Sequence, residues 1–195
     1  MCHTLIAYDL VSLGALLQAT GGDALAPSPV NSTGMLPPCS NAGLVTVNWH
    51  DDHSNFWDTH GNNFNRLKND LMPPADKGFA ALLDDLDARG LLEETLVVWV
   101  GEFGRTPRIN PVNAGREHWP RCYSVALAGG GIVGGQVYGA SDRWAAYPAR
   151  DPVSPDDLGA TILHALGIDP ARELTDPVGR PLRINNGSPI TGLFV

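Results

Sequence analysis

The chain has 195 residues, of which 43% are hydrophobic and 17% charged, a balance that excludes a disordered polypeptide and suits one domain with a sizeable core. The net charge of -8, with no Lys/Arg-rich run, speaks against nucleic acid as a partner. With 22 Gly and 16 Pro, long structured loops are expected rather than a helix bundle.

Residues 1–41 read as an atypical, loop-rich segment. One short helical stretch is expected there, followed by Gly21-Gly22 and a run containing Pro27, Pro29, Pro37 and Pro38. The apolar stretch 5–19 is interrupted by Asp9 and preceded by no Lys or Arg, so no signal peptide is readable in it. No apolar run approaches the length of a membrane span. Cys2, Cys39 and Cys122 are scattered and odd in number, which argues against a disulfide framework or a cysteine zinc site.

From residue 44 the signals sharpen. The β-branched stretch 44–49 predicts a strand. Residues 70–92 carry Leu71, Phe79, Leu82, Leu83 and Leu86 at helical spacing, with Pro73 and Pro74 in the first turn and Gly90 near the end. The apolar run 95–100 predicts a strand buried on both faces, as in a parallel sheet covered by helices. A second such run is 123–128. Residues 129–139 read as a turn and short hairpin. Ser154-Pro155 opens a helix over 156–166 that Gly167 closes. The strand-helix-strand order predicts an α/β domain over 42–195. Gly129, Gly131 and Gly134 match G-x-G-x-x-G, but no helix pattern follows to receive a pyrophosphate, so the dinucleotide reading is set aside.

Three polar strings follow or separate the predicted strands, where open α/β sheets bind ligands. Glu102 and Arg105 come directly after the strand 95–100. The carboxylate there is either a metal ligand, a base or half of a loop salt bridge, and the Arg suits a forked contact with an anion. Asp58 and His60 are two apart, so an extended segment turns both to one face. Carboxylate with imidazole suits zinc or manganese, and the alternative is a capping Asp beside a hydrogen-bonded His. His118 either completes a set with Asp58, His60 and Glu102 or packs on Trp119. His50, Asp51, Asp52 and His53 are read as solvent-facing loop residues, and His164 as structural.

Taken in order, these strings resemble one bacterial family, domain of unknown function 1501, a sulfatase-like branch of the alkaline phosphatase superfamily. They are Trp57-Asp58-Thr59-His60, residues 95–107 with Gly101-Glu102-Phe103-Gly104-Arg105, Gly115-Arg116-Glu117-His118-Trp119, Ala128-Gly129-Gly130-Gly131, Asp156-Asp157-Leu158-Gly159-Ala160-Thr161, Gly179-Arg180-Pro181 and the closing residues 189–194. The resemblance covers residues 42–195. It implies part of a three-layer α/β/α alkaline-phosphatase-like fold with a mostly parallel sheet. It implies a divalent metal (zinc, manganese or calcium) held by Asp58, His60, Glu102 and His118, with Arg105 on the substrate. The substrate class it implies is an anionic phosphate or sulfate ester, such as a sulfated glycan, in an exported protein.

Two positions depart from the family pattern: Phe103 stands where a His or Asn is common, and Glu117 where an Asp is expected. Residues 1–40 do not resemble the half of the superfamily domain that carries the nucleophile. The chain is therefore expected to be truncated, to hydrolyse esters poorly alone, and to need a partner over the missing half. The alternative is a non-catalytic metal- or anion-binding scaffold module.

Overall fold

A computed structural model describes residues 4–9, 44–46 and 57–194. In chain order the elements are β1 (Thr4–Asp9), β2 (Leu44–Thr46), α1 (Asn63–Asn65), a π-helical turn (Arg66–Leu71), α2 (Met72–Ala88), a 3-10 turn (Leu92–Glu94), β3 (Thr95–Val100), β4 (Gly104–Arg105), β5 (His118–Trp119) and β6 (Ala126–Ala128). They continue with β7 (Ala140–Ser141), β8 (Pro148–Arg150), α3 (Pro155–Ala165), β9 (Glu173–Thr175), β10 (Pro181–Arg183) and a last 3-10 turn (Thr191–Leu193).

The principal sheet has the order β2-β1-β3-β6. β1 runs parallel to β2 and to β3, with Thr4 opposite Thr95 and Asp9 opposite Val100, while β6 is antiparallel to β3. Thr4–Asp9 is therefore an inner strand, in a segment for which no strand was expected. The apolar run 4–8 resembles that of β3, but its apolar continuation to residue 19 disguises it as something longer. The four residues 50–53 lie outside the described residues, as do 47–49 of the expected strand and the Pro-rich stretch.

β3 is the hub because its residues alternate between two apolar layers. Val97 packs with Leu86, Phe79, Leu82 and Leu83 of α2, and Trp99 sets its ring 4.9 Å from that of Phe79. Leu96 and Val98 face the other way, onto Ala165 and Ile162 of α3 with Leu127, Ile132 and Phe194. Positions 79, 82, 83 and 86 form one helical stripe, and burying that stripe is what α2 contributes. Four successive buried residues, 95–98, follow from cover on both faces.

Both long helices stop by the same device. Gly90 (φ 68°) and Gly167 (φ 73°) take the left-handed conformation. The next amides, of Leu91 and Ile168, reach back to the carbonyls of Leu86 and Leu163 at 2.8 and 2.9 Å. α3 begins with a reciprocal cap between Ser154 and Asp157, with Pro155 at its first position. The glycines 129–131, expected to open a hairpin, instead make a left-handed turn against the start of β3. Ile132 then bridges Phe194, and the hairpin lies further on, between β7 and β8.

Candidate metal centre

β3 delivers the chain to a short antiparallel ladder. There Gly104 pairs with Trp119 and Arg105 with His118. Residues directly opposite in such a ladder share a face, so this register sets the Arg105 guanidinium beside the His118 imidazole. Gly104 is obligatory, since a Cβ there would lie 2.0 Å from the Cys122 carbonyl oxygen. The crossing from β4 to β5 is closed by Thr106 N to Glu117 O (2.8 Å), Asn110 N to Gly115 O (2.9 Å) and Arg116 Nε to Thr106 O (2.6 Å).

The segment 57–63 docks on that crossing. Asn62 and Asn63 donate to the carbonyls of Asn113 and Ala114 at 2.7 and 3.0 Å, and Arg116 N reaches Thr59 O at 3.3 Å. Gly115 permits the approach: a Cβ on it would stand 1.8 Å from the His60 carbonyl oxygen. Residues 57–60 are not extended. Thr59 N bonds Trp57 O and His60 N bonds Asp58 O, both at 3.0 Å, in successive three-residue turns. The convergence of Asp58 and His60 foreseen from alternation arises from these turns instead.

Asp58, His60 and His118 each offer one ligand atom, and these atoms lie within 4.8 Å of one another. Asp58 Oδ1 stands at the centre, 3.0 Å from His60 Nε2, 2.8 Å from His118 Nε2 and 2.5 Å from Arg105 Nη2. Burial is the largest single effect on the Asp58 carboxyl and works against ionisation. The His118 hydrogen bond, the hydrogen bond and charge of Arg105 and the charge of His60 together outweigh it, so its pKa lies below the ordinary carboxylate range. His60 turns its other nitrogen, Nδ1, to Glu117 Oε2 at 2.6 Å. The His118 ring lies 4.2 Å from the Phe103 ring and 4.9 Å from that of His60, centroid to centroid.

The other two expected site residues differ: one lies outside the group and one is bonded to it. Glu102 is exposed and stands outside the three-residue group. Phe103 and Arg105, which follow it in the chain, both reach the cluster. Arg105, expected on the substrate, already uses three of its five N–H donors within the protein. Its Nη2 donates to Asp58 and to the Trp57 carbonyl (3.1 Å), and its Nη1 to the Arg116 carbonyl (3.3 Å). It fixes Asp58 and staples the two segments together. The alternative of His118 packing on Trp119 is not what forms: Trp119 turns to Tyr147 (5.7 Å between rings) and donates to the Ala146 carbonyl. His164 lies against Phe194, away from any ligand set.

Sequence reasoning passed over Glu117 as a participant. The available signal was its place beside His118, one residue out of phase with the pair Arg105 and His118, where a long side chain can reach round to His60.

The site is thus a carboxylate–imidazole cluster built on the loops of a helix-and-sheet domain. A family model described as protein of unknown function, DUF1501, matches residues 40–194, and the chain belongs to that family. No curated protein and no solved structure matches it. Among the described residues no helix is long and apolar enough to cross a membrane.

Proposed function

We propose that Asp58, His60 and His118 hold a divalent metal ion, and that the protein is a sulfatase-like, metal-dependent hydrolase of phosphate or sulfate esters in the alkaline phosphatase superfamily. The observation that carries this reading is the approach of two imidazole nitrogens and one carboxylate oxygen to within 4.8 Å of each other. Two nitrogens and one oxygen suit zinc or manganese; calcium prefers an all-oxygen shell, and fits the set less well. Three protein ligands also leave a position open, the pattern of a catalytic rather than a structural zinc site.

Support for the wider reading comes from the ordered strings and from the sheet. β3 is paired on one side with a parallel strand and covered by a helix on each face, as a three-layer α/β/α domain requires. The cluster is fed by the segment leaving the carboxyl end of β3, where α/β sheets bind ligands. A bound divalent ion supplies Lewis acidity toward a phosphoryl or sulfuryl oxygen. The chain's own residues supply its seat: Arg105 holds Asp58, and Phe103 backs the His118 ring. Among the described residues, the side chains hydrogen-bonded to the three ligands are those of Arg105 and Glu117, neither of them the Ser, Thr or Cys expected of the superfamily. That keeps alive the second reading, a metal-binding module that is not itself catalytic.

The test is metal analysis with calorimetric titration of zinc and manganese, followed by aryl phosphate and aryl sulfate assays. One ion per chain, lost in Asp58→Ala and His118→Ala, is the expected result. Absence of binding overturns the centre. A metal-dependent covalent adduct on a Ser, Thr or Cys, seen by mass spectrometry, would establish the hydrolase, whereas binding without turnover or adduct would favour the non-catalytic module.

A further inference from the structure

Both ring nitrogens of His60 face carboxylate oxygens: Nδ1 lies 2.6 Å from Glu117 Oε2 and Nε2 lies 3.0 Å from Asp58 Oδ1. An ionised carboxylate only accepts hydrogen bonds, and a neutral imidazole carries a single N–H. One of the two contacts must therefore be made by a lone pair unless a second cation, a proton or a metal ion, stands in. The shorter contact is the one to Glu117. With the proton on Nδ1 and directed to Glu117, the Nε2 lone pair points at the place where the Asp58 oxygen and the His118 nitrogen also converge. Without Glu117 the same proton would settle on Nε2, against Asp58, and block the atom a metal needs. Among the described residues His118 has no carboxylate on its second nitrogen; its ring lies against that of Phe103.

We propose that Glu117 is a positioning residue that selects the Nδ1–H tautomer of His60 and so keeps Nε2 open as a metal ligand. The proposal rests on the metal reading of the cluster. It separates Glu117 from an ordinary surface ion pair, which its side-chain exposure of 60% would otherwise suggest and which would contribute little. Carboxylates that orient a ligating imidazole this way typically change metal affinity by about 10- to 100-fold when removed.

The experiment uses the full chain, with histidine labelled at its ring nitrogens, in wild type, Glu117→Ala and Glu117→Gln. Ring-nitrogen shifts of the metal-free protein at mildly alkaline pH should show His60 protonated at Nδ1 in wild type and at Nε2 in Glu117→Ala. Zinc titration should give one site in both, weakened about 10- to 100-fold in Glu117→Ala. Glu117→Gln, whose amide oxygen still accepts from Nδ1–H, should restore the tautomer and most of the affinity, which a loss of folding would not. Unchanged shifts and affinity in Glu117→Ala would overturn the proposal. So would complete loss of binding equal to that of Asp58→Ala, which would make Glu117 a ligand. If wild type binds neither zinc nor manganese, the metal centre fails, yet the protonation of His60 in the metal-free protein still decides the tautomer.

Discussion

Around Asp58 the chain is fixed by polar contacts. Three nitrogens crowd one carboxylate oxygen, backbone amides of 62, 63 and 116 tie two loops together, and Thr59 and Asn63 bury their side chains on each other. Around α3 the chain is fixed by packing, with Leu96, Val98, Ala165 and Phe194 in one apolar cluster and a capped helix end above it. Apolar burial is non-directional and tolerates small shifts, whereas hydrogen bonds to a charge hold angles and distances. The first region can therefore define ligand geometry at the cost of depending on charge and glycine, and the second can carry stability without defining any chemistry.

Truncations and substitutions in the two regions should separate these roles. The largest loss of stability is expected from Leu96→Ala, since Leu96 is 1% exposed beneath α3. Urea unfolding should show about 2–5 kcal/mol lost, with zinc stoichiometry of the folded fraction unchanged. If metal binding vanished while the fold remained, the division would be wrong. Gly115→Ala comes next. It places a methyl 1.8 Å from the His60 carbonyl oxygen, and about 1–3 kcal/mol of strain should accompany weaker metal binding. Gly134→Ala meets open space and serves as the control, expected to leave both readouts alone.

Ser154→Ala removes the hydroxyl that caps α3 and should cost about 1 kcal/mol in the same denaturation assay, with metal affinity unmoved. The smallest effect is in acid. The Asp157 carboxyl is held below its ordinary pKa by the Ser154 hydroxyl first, then by the amides of Ser188 and Ser154. A depressed carboxyl contributes stability that is full above its unfolded pKa and is lost as pH falls through the lower, folded one. Acid titration of the folded state should thus show a loss beginning near the ordinary Asp value of about 3.9 and continuing below it, and Ser154→Ala should reduce that dependence. A titration identical in both proteins would remove the cap from this account.

What the sequence disclosed follows the same division. The stripe Phe79, Leu82, Leu83, Leu86, the run of β3 and the punctuation of α3 by Ser154 and Gly167 are periodic or local signals, and they became α2, β3 and α3 within a few residues. Asp58, His60 and His118 were legible as residue types in ordered strings, and they do meet. Less was legible where geometry depends on a long-range pairing. β4 and β5 have two residues each, too few for any period, and their register is what sets Arg105 opposite His118 beside Asp58. Glu117 was hidden for the same reason. β1 was missed because its apolar residues merge into a longer apolar stretch.

Arg105 and His118 are fixed relative to one another by two rungs of ladder, yet twelve residues of chain, 106–117, lie between them. Distance along the chain is therefore nearly independent of distance in space. The tip of the crossing, where Val112 is 92% exposed, can lengthen by insertion while both ends stay paired. A slip of a single rung is another matter: it would set Glu117 opposite Arg105 and turn the His118 ring to the far side. Related chains should accordingly drift freely in the length of this crossing and hardly at all in the phase with which it closes.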